Sequence, residues 1–343
     1  MLAALLAQRF KPMKRWRVLV ALALCAIAAS VCGAAWWLNR PMALGADTVE
    51  LSIEPGTPPR EIAQAWVQAG VQASPLLLYE WFRWSGQARK IRAGSYEIGR
   101  NVTPIGLLNK MVRGDETLAV VRLIEGWTFR QFRAELAKAD ALKPTTAGLS
   151  DEQIMQAIGA PGVPPEGRFH PDTYAYSKGS SDLAVLKRAH RAMQRHLDAA
   201  WAERAPDSPL RSADDALVLA SIVEKETGAT ADRGKVAGVF VNRLRIGMPL
   251  QTDPSVIYGL GSAFDGNLRK RDLLADGPFN TYTRGGLPPT PIALPGMASL
   301  LAAVRPEPTR ALYFVARGDG SSAFSETLAE HNRAVNQYQR ARR

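Results

Sequence analysis

The run from Val18 to Leu38, VLVALALCAIAASVCGAAWWL, has 21 residues and no charge. As a helix rising about 1.5 Å per residue it reaches about 30 Å, the hydrocarbon thickness of a bilayer. No polar stripe interrupts it, so it does not read as the core helix of a soluble domain. Trp36 and Trp37 stand at its far end, where indoles favour the membrane interface. Arg9, Lys11, Lys14, Arg15 and Arg17 precede it with no acid among them, and only Arg40 follows closely. The positive-inside rule then makes residues 1–17 a cytoplasmic basic segment and 18–38 a transmembrane helix. Everything beyond the short 39–46 linker lies outside the inner membrane, in the periplasm. The alternative is a cleaved signal peptide, for which Ala26, Ala28 and Ser30 offer a site. The apolar run exceeds the usual signal core of ~7–15 residues.

Both cysteines, Cys25 and Cys32, fall inside that run. The exported part therefore has no disulfide, no thiol chemistry and no cysteine-based zinc cluster. Of the net charge of +11, five units belong to the N-terminal basic cluster, leaving +6 for the rest. No Lys/Arg run accompanies that remainder, which argues against nucleic-acid binding.

After the linker, alternation in Val49, Leu51 and Ile53 predicts a strand, and Glu54-Pro55-Gly56 a turn. Thr57 and Pro58 open a helix that Gly70 ends. A second helix covers roughly 75–85, AGSYEI (93–98) is a strand, and Thr103-Pro104 opens a helix ending near Gly114. Residues 47–115 thus form a small subdomain. Its aromatics (Tyr79, Trp81, Phe82, Trp84) read as core in preference to a carbohydrate platform. A larger unit over 116–343 follows. It has a strand at Val120–Ile124, a helix capped by Thr128, one short helix within 142–166, and a polar, aromatic loop PEGRFHPDTYAY (165–176). Long helices cover 182–203, 212–228 and 231–246. GMPLQTDPSVIYGLG and GPFNTYTRGGLPPTPIALPGM read as extended, Gly/Pro-punctuated loops. A helix from Pro295 to Arg305, a strand at 311–316, a hairpin and a helix capped by Thr327 complete the chain. Clustered helices with strands at the ends predict an α+β fold.

The 212–228 helix carries two glutamates, Glu224 and Glu226. Turned by about 100° per residue, Ala216, Leu219, Ile222 and Val223 share one face, and Glu226 projects from its middle. Glu224 lies well round the helix, with Ser221 and Lys225 on a polar side. A carboxylate on a buried face must be paired or protonated, and desolvation raises its pKa. An acid that keeps its proton near neutrality suits general-acid cleavage of a glycosidic bond. The competing reading is a structural glutamate paired with an arginine, for which Arg243 on the next helix is the candidate. None of His170, His190, His196 and His331 has the i, i+4 spacing of a helical metal pair, and Ser221 lacks nucleophile-elbow glycines.

Five stretches resemble the endolytic murein transglycosylases of the YceG-like family. They are LASIVEKET, DRGKVAGVFVNRLRIGMPLQTDPSVIYGLG, FNTYTRGGLPPTPIALPG, EGRFHPDTYAY and YFVARGDGSSAFSETLAEHN, and the resemblance covers nearly all of the chain after the apolar run. The resemblance implies a single membrane anchor, a small LysM-like α/β subdomain and an α+β catalytic domain facing the cell wall. It also implies Glu226, the second glutamate of EKET, as the catalytic group, with no cofactor and no metal. The implied reaction cleaves the bond between N-acetylmuramic acid and N-acetylglucosamine within a glycan strand, non-hydrolytically, leaving 1,6-anhydro ends. The implied partners are peptidoglycan glycan strands and peptidoglycan synthases, with a role in terminating nascent strands. Gln251, Thr252, Asp253, Asn280, Tyr282, Glu166 and Asp172 are the candidate groove residues. A muramidase-type hydrolase, with Asp253 as second carboxylate, and a non-catalytic wall-binding scaffold are the alternatives.

Overall fold

The computed structural model of the protein describes residues 11–54 and 56–340, with side chains from residue 16 to residue 339. Arg9 and Pro55 lie outside the described residues, as do the side chains of Lys11, Lys14 and Arg15. The expectations placed on them, the start of the basic cluster and the middle of the first turn, fall there too. The described residues mix helix and strand in the α+β manner and divide into two compact units. One comprises residues 1–118 with 177–179, the other 119–176 with 180–343.

The first unit begins with α1 (Lys11–Asn39), whose stretch Trp16–Asn39 is long and apolar enough to cross a membrane and has no buried residues in its most apolar window. Strands β1 (Ala43–Leu44) and β2 (Thr48–Ile53) follow. Then come α2 (Pro59–Ala69), β3 (Val71–Gln72), α3 (Pro75–Trp84), β4 (Gly94–Gly99) and α4 (Pro104–Arg113). β2 and β4 pair antiparallel from Thr48↔Gly99 to Ile53↔Gly94, and β1 pairs with β3. The alternation in β2 points Val49 and Ile53 into a core with Trp66, Leu78, Phe82, Tyr96 and Met111. Helix α2 starts one residue later than a Thr57 cap implies, because Pro58 takes the N-cap position and Pro59 the first turn. The aromatics divide: Phe82 is fully buried while Trp84 is 78% exposed.

Strand β5 (Leu118–Arg122) pairs with β6 (Thr173–Ser177), and all of both but Leu118 and Ser177 belongs to the second unit. Between them lie α5 (Phe129–Lys138) and α6 (Asp151–Ile158), each opened by a capping box, from Thr128 and from Ser150. The long α7 (Asp182–Ala202) leads to α8 (Ala213–Glu226) and α9 (Arg233–Arg245). Short helices α10 (Asp253–Leu260) and α11 (Lys270–Leu274) precede α12 (Met297–Val304). The antiparallel pair β7 (Tyr313–Ala316) and β8 (Ser322–Ser325) and helix α13 (Leu328–Val335) close the unit.

Helix α8 is the axis of this unit. Every residue from Ala216 to Val223 is buried, among side chains from α7, α9 and α12. The two-faced pattern read from the sequence is therefore wrong for this helix, because a helix surrounded on all sides has no wet face. Ser221, expected on a polar side, is fully buried. Its hydroxyl donates to Val218 O at 2.7 Å and accepts from Ile292 N at 3.0 Å. Within the segment QTDPSVIYGL, read as loop, Asp253–Leu260 is the helix α10, with Pro254 in its first turn, where a missing N–H costs nothing.

Candidate active site

Glu226 is the last residue of α8 and lines a cleft of ≈ 710 Å³. Helix α9 contributes Arg243 to the lining, the turn into α10 contributes Gln251 and Asp253, and the loop after α11 contributes Tyr282. Tyr313 on β7 and His331 on α13 complete the named walls. The Thr252 hydroxyl donates to Glu226 Oε1 at 2.6 Å. Among the described residues no other group hydrogen-bonds to this carboxylate, so Oε2 is the oxygen left to the cleft. Burial raises the Glu226 pKa and the Asp253 carboxylate adds to the rise, while the Thr252 hydrogen bond and the Arg243 cation oppose it.

Arg243 is not the ion-pair partner that the competing reading required. It is buried, and its guanidinium is spent on main-chain carbonyls: Nε donates to Leu312 O at 2.7 Å and Nη1 to Leu250 O at 2.6 Å. Its head lies 5.3 Å from the Tyr313 ring centroid, and Tyr313 in turn stacks on His331 at 5.2 Å. The cleft wall facing Glu226's neighbours is thus cationic and aromatic, a surface suited to a sugar ring and its polar substituents. Asp253 is held by the Tyr282 hydroxyl, which donates to its Oδ1 at 2.5 Å.

The seven candidate groove residues separate clearly. Gln251, Asp253 and Tyr282 line the cleft with Glu226. Thr252 is only 1% exposed and stands behind Glu226. Asn280 is buried away from the lining. Its amide donates to the carbonyls of Asp272, Leu273 and Ala275, and its Oδ1 accepts from Tyr282 N, so it shapes the loop that carries Tyr282. Asp172 is exposed and accepts from the adjacent Thr173 N at 2.7 Å. Glu166 is buried elsewhere: Oε1 accepts from Phe129 N at 3.0 Å and Oε2 from the Tyr258 hydroxyl at 3.2 Å. Desolvation raises its pKa to about 7.

Glu224, placed well round the helix from the sequence, is half-buried, with a side chain only 7% exposed. Its Oε2 accepts from Gly296 N at 3.0 Å, and Arg233 lies 3.9 Å from its Oε1. Tyr313 and His331 were missed as lining residues. They come from more than 80 positions further along the chain, and only the β7 register and the capping of α13 by Thr327 bring them there.

The cleft thus gathers one desolvated carboxyl group and an aromatic and cationic wall. The chain belongs to the YceG-like family, whose sequence profile matches residues 51–337. It is 32% identical to an endolytic murein transglycosylase of Bacillus subtilis (strain 168), with 85% of each chain covered. It is 24% identical to an endolytic murein transglycosylase of Streptococcus pneumoniae, where the match takes in 84% of this chain and 58% of the relative. Among solved structures, a YceG-like protein of Listeria monocytogenes matches 83% of this chain and 98% of its own at 27% identity and a TM-score of 0.52.

Proposed function

We propose that the chain is a membrane-anchored endolytic murein transglycosylase in which Glu226 alone serves as general acid and then general base. The observation that carries this reading is the Glu226 carboxyl: desolvated, fixed at Oε1 by Thr252, and with Oε2 free in the cleft. Protonated Oε2 gives its proton to the glycosidic oxygen between N-acetylmuramic acid and N-acetylglucosamine. The bond from that oxygen to the muramyl anomeric carbon breaks, with its electron pair staying on the leaving N-acetylglucosamine. The ionised carboxylate takes the proton of the muramyl C6 hydroxyl as that oxygen closes on the anomeric carbon. No water is consumed, the product carries a 1,6-anhydro end, and Glu226 is protonated again. One carboxyl group suffices because the nucleophile belongs to the substrate and is already close. The tyrosine-bound Asp253 supports this reading over a muramidase, since one of its oxygens is engaged and its charge serves to keep Glu226 protonated.

In the same reading α1 is a single-pass anchor with the N-terminus in the cytoplasm, and everything beyond residue 46 faces the periplasm. Residues 47–115, LysM-like, position glycan. Cleavage of nascent strands would end their elongation and couple the enzyme to peptidoglycan synthases. The test is digestion of purified sacculi by the full chain in detergent, followed by mass analysis of the muramyl ends. Ends lighter by one water support the proposal, and a majority of reducing muramyl ends refutes it.

A further inference from the structure

Thr252 stands at the N-cap of α10, yet its side chain makes no capping bond to that helix. A threonine there ordinarily accepts from the second or third helical N–H, worth about 1 kcal/mol. The second of these positions is Pro254, which has no N–H, and Ser255 at the third donates its hydroxyl to Thr252 O at 2.8 Å. The preceding residue, Gln251, holds φ at 51°, one of two positive values outside glycine among the described residues. Such a conformation is a local cost that surrounding structure must sustain. Two departures from local preference thus meet at the residue that touches Glu226.

The surroundings make the Thr252 hydroxyl a committed donor. Thr252 N donates to Thr281 Oγ1 at 3.0 Å, Gln251 N donates to Thr281 O at 3.0 Å, and Ser255 and Thr281 hydroxyls lie 2.9 Å apart. Thr252, Ser255 and Thr281 are all at most 2% exposed. Among the described residues the one acceptor of the Thr252 hydroxyl proton is Glu226 Oε1. Were the carboxyl proton on Oε1, it would point at Thr252 Oγ1 and leave the buried threonine proton with no acceptor, a loss of the kind that costs most in a protein interior. The favoured arrangement has Oε1 accepting and the acidic proton on Oε2.

We infer that Thr252 is a positioning residue, which acts through Glu226 by holding its transferable proton on the oxygen that faces the cleft. The inference rests on the reading of Glu226 as the general acid. Other groups facing that carboxyl are Asp253 and Arg243, with Tyr282, Tyr313 and His331 further along the walls. None of them hydrogen-bonds to it.

The test compares Thr252→Val, Thr252→Ser and wild type as full chains, measuring cleavage of sacculi from pH 4 to 9 alongside thermal unfolding. Thr252→Val should lower the rate at the optimum roughly tenfold, the worth of one hydrogen bond to a charged group. It should also move the alkaline limb to higher pH, because loss of a bond that favours the ionised form makes Glu226 hold its proton longer. Thr252→Ser should restore both. If the valine variant does not fold, Thr252→Ala takes its place. An unmoved alkaline limb in the folded hydroxyl-free variant overturns the inference even where the rate falls, and so does a serine variant that behaves like valine. Glu226→Gln, run alongside, separates the two levels. Near wild-type cleavage by it removes the general-acid reading itself, whereas its inactivity together with an unmoved limb in Thr252→Val removes only the role of Thr252.

Discussion

Two places in the second unit bury a glutamate and raise its pKa, and they differ in what surrounds the carboxyl oxygens. Glu166 sits beside the start of α5 with Oε1 bound by Phe129 N and Oε2 by the Tyr258 hydroxyl. Phe129 and Phe169, stacked at 4.8 Å, pack beside it. Glu226 has one bound oxygen and one free in a cleft of ≈ 710 Å³. Desolvation is the leading cause of the raised pKa in both. A perturbed carboxyl is thus common to a structural role and to the chemical role proposed for Glu226, and the free oxygen separates them.

The sharpest way to break this comparison is to remove the ionisable group at each place. Glu226→Gln keeps size and hydrogen-bonding capacity, so the fold should persist while cleavage of sacculi falls by at least ~100-fold, the low end of what a positioned proton donor contributes. Near wild-type cleavage by a folded Glu226→Gln chain would end the comparison.

Glu166→Gln should show its effect in stability. The folded pKa of Glu166, about 7, lies above the ordinary value of 4.5. The folded chain therefore binds the proton more tightly than the unfolded chain. The contribution is fully present below the unfolded pKa and is lost as pH rises through the folded one, so wild type weakens between about pH 4.5 and 7 by up to about 3 kcal/mol. A glutamine is neutral throughout, and the variant should lose this slope and be the more stable at pH 8. Thermal unfolding at pH 5 and pH 8 measures it, and identical pH dependence in the two chains would contradict the assignment.

Glu224→Gln should have a smaller effect on stability and little on rate. The amide oxygen can still accept from Gly296 N, and Glu125 remains as an acid near Arg233. Loss of the charge opposite Arg233 should cost about 1 kcal/mol, with cleavage kept within tenfold of wild type. A loss of rate as deep as that of Glu226→Gln would mean that the two ends of the α8 terminus act as one unit.

What could be read in the sequence was what local chemistry determines. Ser212, Thr128 and Thr327 cap the helices they precede, and Val49 and Ile53 face inward from β2. The place of Glu226 at the end of an apolar run was legible, because an acid breaks that run. Burial of Glu224 was not, since its partners Gly296 and Arg233 come from separate segments. Pro254, Gly259 and Gly261 made α10 look like loop, although proline in a first turn and glycine past a last one are equally helix boundaries. Glu166, Asp172 and Asn280 were grouped with the cleft on polarity alone. Polarity does not tell a groove wall from a loop brace, as the three carbonyls bound by Asn280 show.

The smallest expected effect concerns Asp253, and its direction makes it informative. Its charge raises the Glu226 pKa, opposite to the Thr252 hydroxyl, which lowers it. Asp253→Asn removes the charge while leaving an oxygen to accept from Tyr282. The alkaline limb of cleavage should therefore move to lower pH, against the upward movement expected for Thr252→Val. The loss of rate at the optimum should stay below ~10-fold, because in a one-carboxyl mechanism Asp253 neither activates water nor forms an adduct. The two variants thus shift one limb in opposite senses, which a general weakening of the fold cannot imitate. A loss of 100-fold or more in Asp253→Asn, with the limb unmoved, would make Asp253 a second reacting carboxylate. The free oxygen of Glu226 would then no longer account for the cleft by itself.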